Sequence, residues 1–365
     1  INSFVLGVGI FLSPFISKKF AFGNFRLVYV MGVLVYGIAY IGFSFSPNIY
    51  VFYALALLVG VGNVTTTIIP ISMLVNNWFV KKRGLALSFS FTGLGVGGVV
   101  FSQTVTFLIA NVGWRYTYVI YGLIMLLVGL PIGWFVFRAR PEDMGMEAYG
   151  AEGKMPLKEG EKEVVDTTEH LSGVVLTKPY FILLLMGGVM VGLANNGGFG
   201  QFPPVLTDLH GPVRAATIIS LYSAVGIVGK ITLGNINDRF GTVFSTIYAA
   251  VLLTAAYLVM TLAANYSMAI VMAVLFGFGN AVGTVAPPLI TAAIYAPKDF
   301  PKAYGYLQSA LLLGMTAGSL FAAGIADITG SYNYAWISLA IVSILIGVSW
   351  VGAYKNAQKN KPHSR

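Results

Sequence analysis

The sequence has 365 residues, of which 57% are hydrophobic and 10% charged, with a formal net charge of +9. Soluble domains carry roughly a quarter charged residues, so this composition excludes an ordinary soluble protein and indicates a membrane protein. The chain has no cysteine, which excludes disulfides, thiolate metal sites and a cysteine nucleophile. Its three histidines fall in predicted polar loops or the tail, and we predict no metal and no cofactor.

Apolar runs follow one another along the whole chain, and a bilayer-spanning helix needs about 20 such residues. They predict eleven helices, at 1–16, 27–47, 51–76, 84–110, 115–137, 179–203, 215–235, 243–263, 267–295, 303–326 and 333–354. The first is short, and expected bends are marked by Pro70, Pro131, Pro203, Pro204, Pro287 and Pro288. The predicted fold class is therefore an all-α membrane protein.

The cations of this sequence are distributed unevenly between the predicted loops. Nineteen of the 22 Lys and Arg residues lie in one set of loops and the C-terminal tail, whereas the opposite set holds only Arg115 and Arg214. Cytoplasmic loops carry such an excess, so we place the first set, with the linker and tail defined below, in the cytoplasm of a protein of the cell membrane. The net charge is then expected to face membrane lipid rather than nucleic acid.

Residues 138–178 contain nine of the 13 acidic residues and no long apolar run, which is typical of a mobile linker. They separate an N-terminal transmembrane half of five helices (1–137) from a C-terminal half of six (179–354), followed by a tail (355–365). The two halves align at a shift of about 220 residues. "PFISKKF" (14–20) matches "GNINDRF" (234–240), and "RGLALSFSFTGLGVGG" (83–98) matches "YGYLQSALLLGMTAGS" (304–319). This alignment leaves the first half one helix short, so we expect a further helix upstream of Ile1.

Three stretches resemble the major facilitator superfamily of transporters. "GNINDRFG" (234–241) is similar to its loop signature Gly-x-x-x-Asp-Arg/Lys-x-Gly. "NWFVKKRGLALSFSFTGLGVGG" (77–98) and "RPEDMG" (140–145) resemble the oxalate/formate antiporter and monocarboxylate transporter branch. The resemblance implies the major facilitator fold, with two six-helix repeats of which the first helix is missing here. It also implies transport by alternating access, and we expect a monomer.

The resemblance further implies a gating role for the loop signature, whose acid faces a helix N-terminus in the other half. Asp238 is expected to face the helix that starts at 84, because an anion is favoured at a helix N-terminus. The first-half copy has Pro14 and Lys18 in place of the glycine and the acid. The predicted conformational gating set is Asp238, Arg239, Gly234, Gly241 and Arg83.

Lys230 is a cation inside an apolar run, eight residues before Asp238. At 1.5 Å per residue it lies about 12 Å from the helix end, near the middle of a hydrocarbon core about 30 Å thick. An ionised lysine there costs roughly 2.5–3.5 kcal/mol on insertion scales, so we do not expect it to face lipid. Three interpretations stay open, which are an ion pair with a buried carboxylate, a neutral lysine, and a site for an anionic substrate.

The sequence favours the anion site, because no acid outside the linker lies at the depth of Lys230. The resemblance implies the same. In the oxalate/formate and monocarboxylate branch, an arginine eight residues before the loop acid holds the substrate carboxylate, and here that position is Lys230. The oxalate branch also carries a lysine in helix eleven, where this chain has Leu311. A single cation suits a monoanion, so oxalate is disfavoured.

Polar residues of neighbouring helices are predicted to complete the pocket, with helix–helix hydrogen bonding as the alternative for each. Asn280 and Thr284 are one turn apart on the predicted helix 267–295 and share a face. The predicted substrate-binding set is Lys230, Asn280, Thr284, Asn195, Asn196, Gln103, Gln308, Asn63 and Thr67.

We therefore predict a secondary active transporter for a small organic anion, a monocarboxylate above all, with either proton symport or anion exchange as its coupling. We do not predict an enzyme. The sequence has no Gly-x-x-x-x-Gly-Lys-Ser/Thr loop, so ATP is not expected to drive transport. One alternative is a drug or cation exporter of the same superfamily, which needs a membrane-embedded acid. The other is a non-transporting membrane sensor, which needs a signalling domain.

Overall fold

The structure is a computed structural model that describes residues 2–151 and 178–360, except for the side chains of residues 2–6, 22, 98–99, 102–103 and 106. Most of the predicted linker and the end of the tail therefore lie outside the described residues. Within the described ranges the chain is mainly α-helical, with a π-helical turn at Ile132–Val136 and an irregular segment at 137–151. No strand occurs in these ranges beyond one isolated bridge between Phe79 and Tyr149.

The N-terminal half begins with α1 (Asn2–Phe22) and α2 (Phe25–Ser44). The next predicted helix is broken into α3 (Ile49–Thr66) and α4 (Ile68–Trp78), with Thr67 at φ −105° and ψ −114°. The break follows from Pro70, which has no N–H for the carbonyl four residues earlier and whose ring crowds that turn. The predicted bend at this proline is thus confirmed.

Two long helical stretches, α5 (Arg83–Pro131) and α6 (Pro179–Met260), each exceed the length of a single bilayer crossing. Gly113 interrupts α5, and Gly211 and Gly241 interrupt α6, each with φ between 77° and 83°. Only glycine adopts this conformation without strain. The interruptions divide α5 into segments 83–112 and 114–131, and α6 into segments 179–210, 212–240 and 242–260.

The C-terminal half is completed by four further helices: α7 (Tyr266–Gly279), α8 (Ala286–Ile294), α9 (Phe300–Thr329) and α10 (Tyr332–Lys359). Seven helical stretches of the described chain are long and apolar enough to span a membrane, and one of them is the 82-residue α6 with its three segments. The predicted all-α membrane fold is therefore confirmed, and the broken and interrupted helices together account for the eleven predicted helices.

The structure differs from the prediction at one helix, 267–295. In the structure α7 ends at Gly279, a 3-10 turn covers Asn280–Gly283, and α8 begins at Ala286. Pro287 and Pro288 explain the break, because neither can donate to the carbonyls of the preceding turn. Both prolines lie in the first turn of α8, where a missing N–H costs nothing.

The chain after α5 packs against the loop that follows α4. The indole N–H of Trp78 donates to the Arg138 carbonyl at 2.9 Å. The backbone N–H of Tyr149 donates to the Trp78 carbonyl at 2.8 Å, and that of Val80 donates to the Tyr149 carbonyl at 2.9 Å. We call residues 137–151 the strap, since they hold the loop from which α5 starts.

Glycines bring the helices of the C-terminal half into backbone contact. A Cβ atom at Gly314 of α9 would lie 1.9 Å from the Val189 carbonyl oxygen of α6. A Cβ atom at Gly192 of α6 would lie 2.0 Å from the Leu311 carbonyl oxygen of α9. Small residues permit such close packing, which replaces the hydrophobic effect as the source of cohesion between helices in a bilayer.

Two crossings bring the backbones of the two halves into close contact, both near the end of the bundle that carries the strap, Lys18 and Arg239. We call this the cation-rich end. At the first crossing, a Cβ atom at Gly234 would lie 2.2 Å from the Gly84 carbonyl oxygen. At the second, a Cβ atom at Gly305 would lie 2.8 Å from the Pro14 Cα. The repeat alignment pairs these same positions, 14 with 234 and 84 with 305, so the crossings are related by the internal repeat.

Glycine packing inside the C-terminal half can be tested with Gly314→Val. The larger side chain would collide with the α6 backbone, and overpacking typically costs roughly 1–3 kcal/mol. We expect the apparent melting temperature of the detergent-solubilised protein to fall by several degrees. Gly324→Val on the same helix is the matched control, because a Cβ atom there meets nothing within 4 Å. Equal melting temperatures for the two variants would contradict this account of the packing.

Candidate functional site

Lys230 lies in segment 212–240 of α6 and is half-buried. The next residue towards the N-terminus, Gly229, packs on α7, where a Cβ atom would lie 2.7 Å from the Gly277 carbonyl oxygen. Eight helical residues separate Lys230 from Asp238 at the cation-rich end, which is a distance of about 12 Å along the axis. The structure thus places this cation deep in a helix that belongs to the interface between the halves.

The ammonium of Lys230 reaches across that interface. Its Nζ donates a hydrogen bond to the backbone carbonyl of Phe91 in α5, at 3.3 Å. Phe91 lies eight residues into α5 from Arg83, so both partners lie at a similar distance from the cation-rich end. The acceptor belongs to the N-terminal half and the donor to the C-terminal half.

Among the described residues, no carboxylate lies within ion-pair distance of Lys230, and the Phe91 carbonyl is its hydrogen-bond partner. The acids outside the predicted linker are Asp208, Asp238, Asp299 and Asp327. Asp238 is bonded to the start of α5 instead, as described below. A carbonyl offers only a partial negative charge, so it does not neutralise the cation. A lysine ammonium also has three N–H groups, and the Phe91 carbonyl accepts from one of them.

Asn280 and Thr284 do not share the face of one helix, contrary to the expectation, because the chain between them forms a 3-10 turn rather than an α-helix. Both are half-buried. The Thr284 hydroxyl is buried without a hydrogen-bond partner in the described structure. Gly229, the residue before Lys230, contacts Gly277, one helical turn before Asn280.

The two asparagines of α6 differ in their surroundings. Asn195 is 7% exposed, its Oδ1 has no hydrogen-bond partner in the described structure, and its Nδ2 lies beside Gly283, where a Cβ atom would approach it to 1.7 Å. Asn196 donates from Nδ2 to the Met315 carbonyl of α9 at 2.5 Å. Asn196 therefore makes a helix–helix hydrogen bond, which is the structural alternative considered for each of these residues.

The other predicted pocket residues lie further from Lys230 in the chain. Thr67 uses its hydroxyl to bond the Asn63 carbonyl at 2.6 Å, across the break between α3 and α4. Gln308 is buried in α9, with 5% of its surface exposed. The side chain of Gln103 lies outside the described residues. The substrate-binding role of the whole set stays a prediction.

The predicted gate contact is present at the first crossing. Asp238 accepts hydrogen bonds from the backbone N–H groups of Gly84 at 2.8 Å and Leu85 at 2.9 Å. Those N–H groups lie in the first turn of α5, where a helix has no internal acceptor for them. The carboxylate therefore satisfies two free donors and faces the positive end of the helix dipole.

The remaining residues of the predicted gating set play different structural parts. Gly234 permits the close crossing with α5, and Gly241 makes the break in α6 just beyond Asp238. Arg83 donates from Nε to the Phe79 carbonyl of its own half, and Arg239 is exposed. Their gating role stays a prediction.

The second crossing explains why Lys18 can stand where the repeat would place an acid. Helix α9 begins at Phe300, well before Gly305, the counterpart of Gly84. The N–H groups around Gly305 therefore lie inside the helix and bond within it, so no external anion is required. In place of an acid, the hydroxyls of Ser72 and Tyr304 form a buried hydrogen bond of 3.1 Å between the halves.

Two features of the site were not found from the sequence. The Phe91 carbonyl is a backbone group, which leaves no side-chain signature. Gly95 brings α5 close to α6, since a Cβ atom there would lie 2.8 Å from the Ile227 side chain. Gly95 stands in the glycine-rich run "GLGVGG", but its neighbours Gly93 and Gly97 meet no residue of the other half. The pattern alone does not single it out.

The fold defines a multi-pass integral membrane protein made of two internally related helical halves. The family model of the Major Facilitator Superfamily matches residues 1–231 and 184–365, which together cover the chain. The chain therefore belongs to this superfamily of transporters, as the resemblance predicted.

Three similar proteins illustrate the relationship. The "MFS transporter asaE" of Aspergillus flavus is 28% identical over 70% of this chain, and the match spans 53% of that relative. "Monocarboxylate transporter 12" of Xenopus laevis is 22% identical over 84% of this chain and 70% of its own. The crystal structure of the Escherichia coli fucose:proton symporter FucP aligns with a TM-score of 0.72 over 96% of this chain and 89% of its own, at 12% identity. The last comparison shows the fold alone.

The contact of Asp238 with α5 can be tested with Asp238→Ala. Loss of a capping side chain costs about 0.5–2 kcal/mol, which corresponds to roughly 2- to 30-fold faster hydrogen exchange of the Gly84 and Leu85 amides. Mass spectrometry of the peptide that contains them measures this rate. Lys18→Ala is the matched control at the repeat-related position, and the amides around Gly305 should exchange as before. Unchanged exchange at Gly84 in Asp238→Ala would show that the carboxylate does not cap the helix.

Proposed function

We propose that this protein transports a small monocarboxylate anion across the cell membrane by alternating access, with Lys230 as the group that receives the carboxylate. The observation that carries the proposal is the environment of Lys230. Its ammonium lies half-buried and deep in the interface between the halves, where its partner among the described residues is a neutral carbonyl and not a carboxylate.

A cation in this position needs a negative partner. Desolvation of an ammonium costs several kcal/mol, which only close electrostatic partners recover. A carbonyl dipole recovers part of that cost, whereas a carboxylate recovers far more and forms a charge-assisted hydrogen bond. An anion entering between the halves would therefore bind Lys230 in preference to remaining in water next to apolar helices.

The charge of the site favours a monoanion. Leu311, at the position where the resemblance to the oxalate branch implies a second cation, is buried in the hydrophobic core at 3% exposure. A dianion would bring one charge more than Lys230 can neutralise. The similarity to a monocarboxylate transporter supports the same class. Lysine binds as a point charge rather than a planar fork, so a small, freely oriented carboxylate suits it.

Alternating access is supported by the way the halves meet. Their close backbone contacts at Gly84, Gly234 and Gly305 lie at the cation-rich end, which we assign to the cytoplasm together with the linker and the tail. Glycine crossings allow one half to move against the other without disengaging long side chains.

The anion can be accompanied by a proton or exchanged for a second anion, and a transport assay separates these two modes.

Lys230→Gln tests the site directly. It keeps a polar side chain of similar reach but removes the charge, so we expect uptake of labelled lactate or pyruvate into proteoliposomes to fall at least tenfold, as for the loss of a charged hydrogen bond. Lys19→Gln, at an exposed lysine of the cation-rich end, is the matched control and should transport normally. Full uptake by Lys230→Gln would end the proposal.

The substrate class and the coupling can be tested together. We expect lactate, pyruvate and acetate to compete for uptake, and oxalate to compete weakly or not at all, because one cation neutralises one carboxylate. Uptake driven by an imposed pH gradient indicates proton symport, whereas acceleration by the same anion on the opposite side of the membrane indicates exchange. Stronger competition by oxalate than by acetate would contradict the monoanion site.

A further inference from the structure

We propose that Lys230 is also a latch between the two halves, which the bound anion releases. In the empty carrier its ammonium bonds to the Phe91 carbonyl and helps to keep the cation-rich end closed. When an anion occupies Lys230, the anion takes over as the partner of the ammonium, and the halves can separate there. This inference rests on the proposed function and adds a coupling between occupancy and movement.

The geometry of the latch follows from its two partners. Lys230 belongs to α6 of the C-terminal half, and its 3.3 Å hydrogen bond ends on the backbone of α5 in the N-terminal half. Phe91 itself is fully buried, so its carbonyl is fixed by the packing of the helix. Any movement that opens the cation-rich end separates α5 from α6 and must break this bond.

The energetic consequence depends on whether an anion is present. Without one, opening leaves the ammonium without its carbonyl, and an unpaired charge buried in a membrane protein is costly. With one, the ammonium keeps a full negative partner throughout the movement. Its three N–H donors permit the anion to bind before the carbonyl leaves. Loaded carriers should therefore open at the cation-rich end far more readily than empty ones.

Gly95 sets the length of the latch. It lies one helical turn beyond Phe91 and allows α5 to approach α6, where a Cβ atom would lie 2.8 Å from Ile227 Cγ1. A valine at this position would collide with the Ile227 side chain, and we expect the two helices to move apart and the bond between Nζ and the carbonyl to lengthen. Gly93, two residues away on the same helix, has open space around its Cα, with nothing within 4 Å of a Cβ atom. The chain thus offers a matched pair of substitutions that leaves Lys230 itself intact.

The absence of cysteine from the sequence provides a clean reporter of opening. Ser17 lies at the second crossing, away from Lys230, is fully buried, and has its hydroxyl 2.8 Å from where a Cβ atom of Gly305 would lie. Ser17→Cys therefore introduces a single thiol that N-ethylmaleimide reaches only when the cation-rich end opens. Its alkylation rate in proteoliposomes, with and without pyruvate, measures opening of the carrier.

We expect pyruvate to speed alkylation of the Ser17→Cys protein roughly tenfold, the effect of one hydrogen bond to a charged group. Added Gly95→Val should raise the rate without pyruvate by a similar factor, whereas added Gly93→Val should leave it unchanged. Lys230→Met, which has no N–H donor for the Phe91 carbonyl, serves as a second way to remove the latch and should give a high rate that pyruvate does not alter.

Two results overturn the latch while leaving the proposed function intact. One is an equal pyruvate-free rate in the Gly95→Val and Gly93→Val proteins. The other is a pyruvate-insensitive rate in the parent protein although that protein takes up pyruvate through Lys230. A failure of the unmodified protein to take up any monocarboxylate overturns the proposed function, and the release of the latch by an anion with it.

Discussion

The contact between the two halves of this protein depends on the hydrogen bond of one buried ammonium. Lys230 is carried by the C-terminal half, yet its hydrogen-bond partner in the described structure is a backbone carbonyl of the N-terminal half. The interface is built around that reach, with Gly95 drawing α5 towards α6 and Gly229 drawing α6 towards α7. A buried ammonium makes separation of α5 and α6 costly, because separation leaves the charge without its hydrogen-bond partner.

The internal repeat places equivalent residues at the two crossings, but different side chains form the hydrogen bonds there. Positions 14 and 305 meet as 234 and 84 do. Helix α5 starts at the first crossing and leaves two N–H groups for Asp238, whereas α9 starts earlier and has none to offer at Gly305. One crossing is therefore closed by a carboxylate at a helix end and the other by a buried Ser72–Tyr304 hydrogen bond.

The sequence predicts what depends on periodicity and on local backbone rules. Apolar runs predicted the eleven helices, and Pro70 predicted the break between α3 and α4. The loop signature predicted the contact of Asp238 with the start of α5. The prediction that Asn280 and Thr284 share a helix face is wrong, because a bend was expected at Pro287 and Pro288 while the unwinding begins at Asn280. The partner of Lys230 could not be found, because a main-chain carbonyl is the same at every residue and tertiary packing alone selects Phe91.

The two crossings also differ in how accessible their hydrogen bonds are to water. The Asp238 contact lies at the surface, where Asp238 is exposed, so water can replace each hydrogen bond as it breaks. Ser72 and Tyr304, which form the hydrogen bond at the other crossing, are fully buried, so no water is present there to replace that bond as it breaks. Separation of the α1–α9 crossing therefore carries a desolvation cost that separation of the Asp238 contact does not.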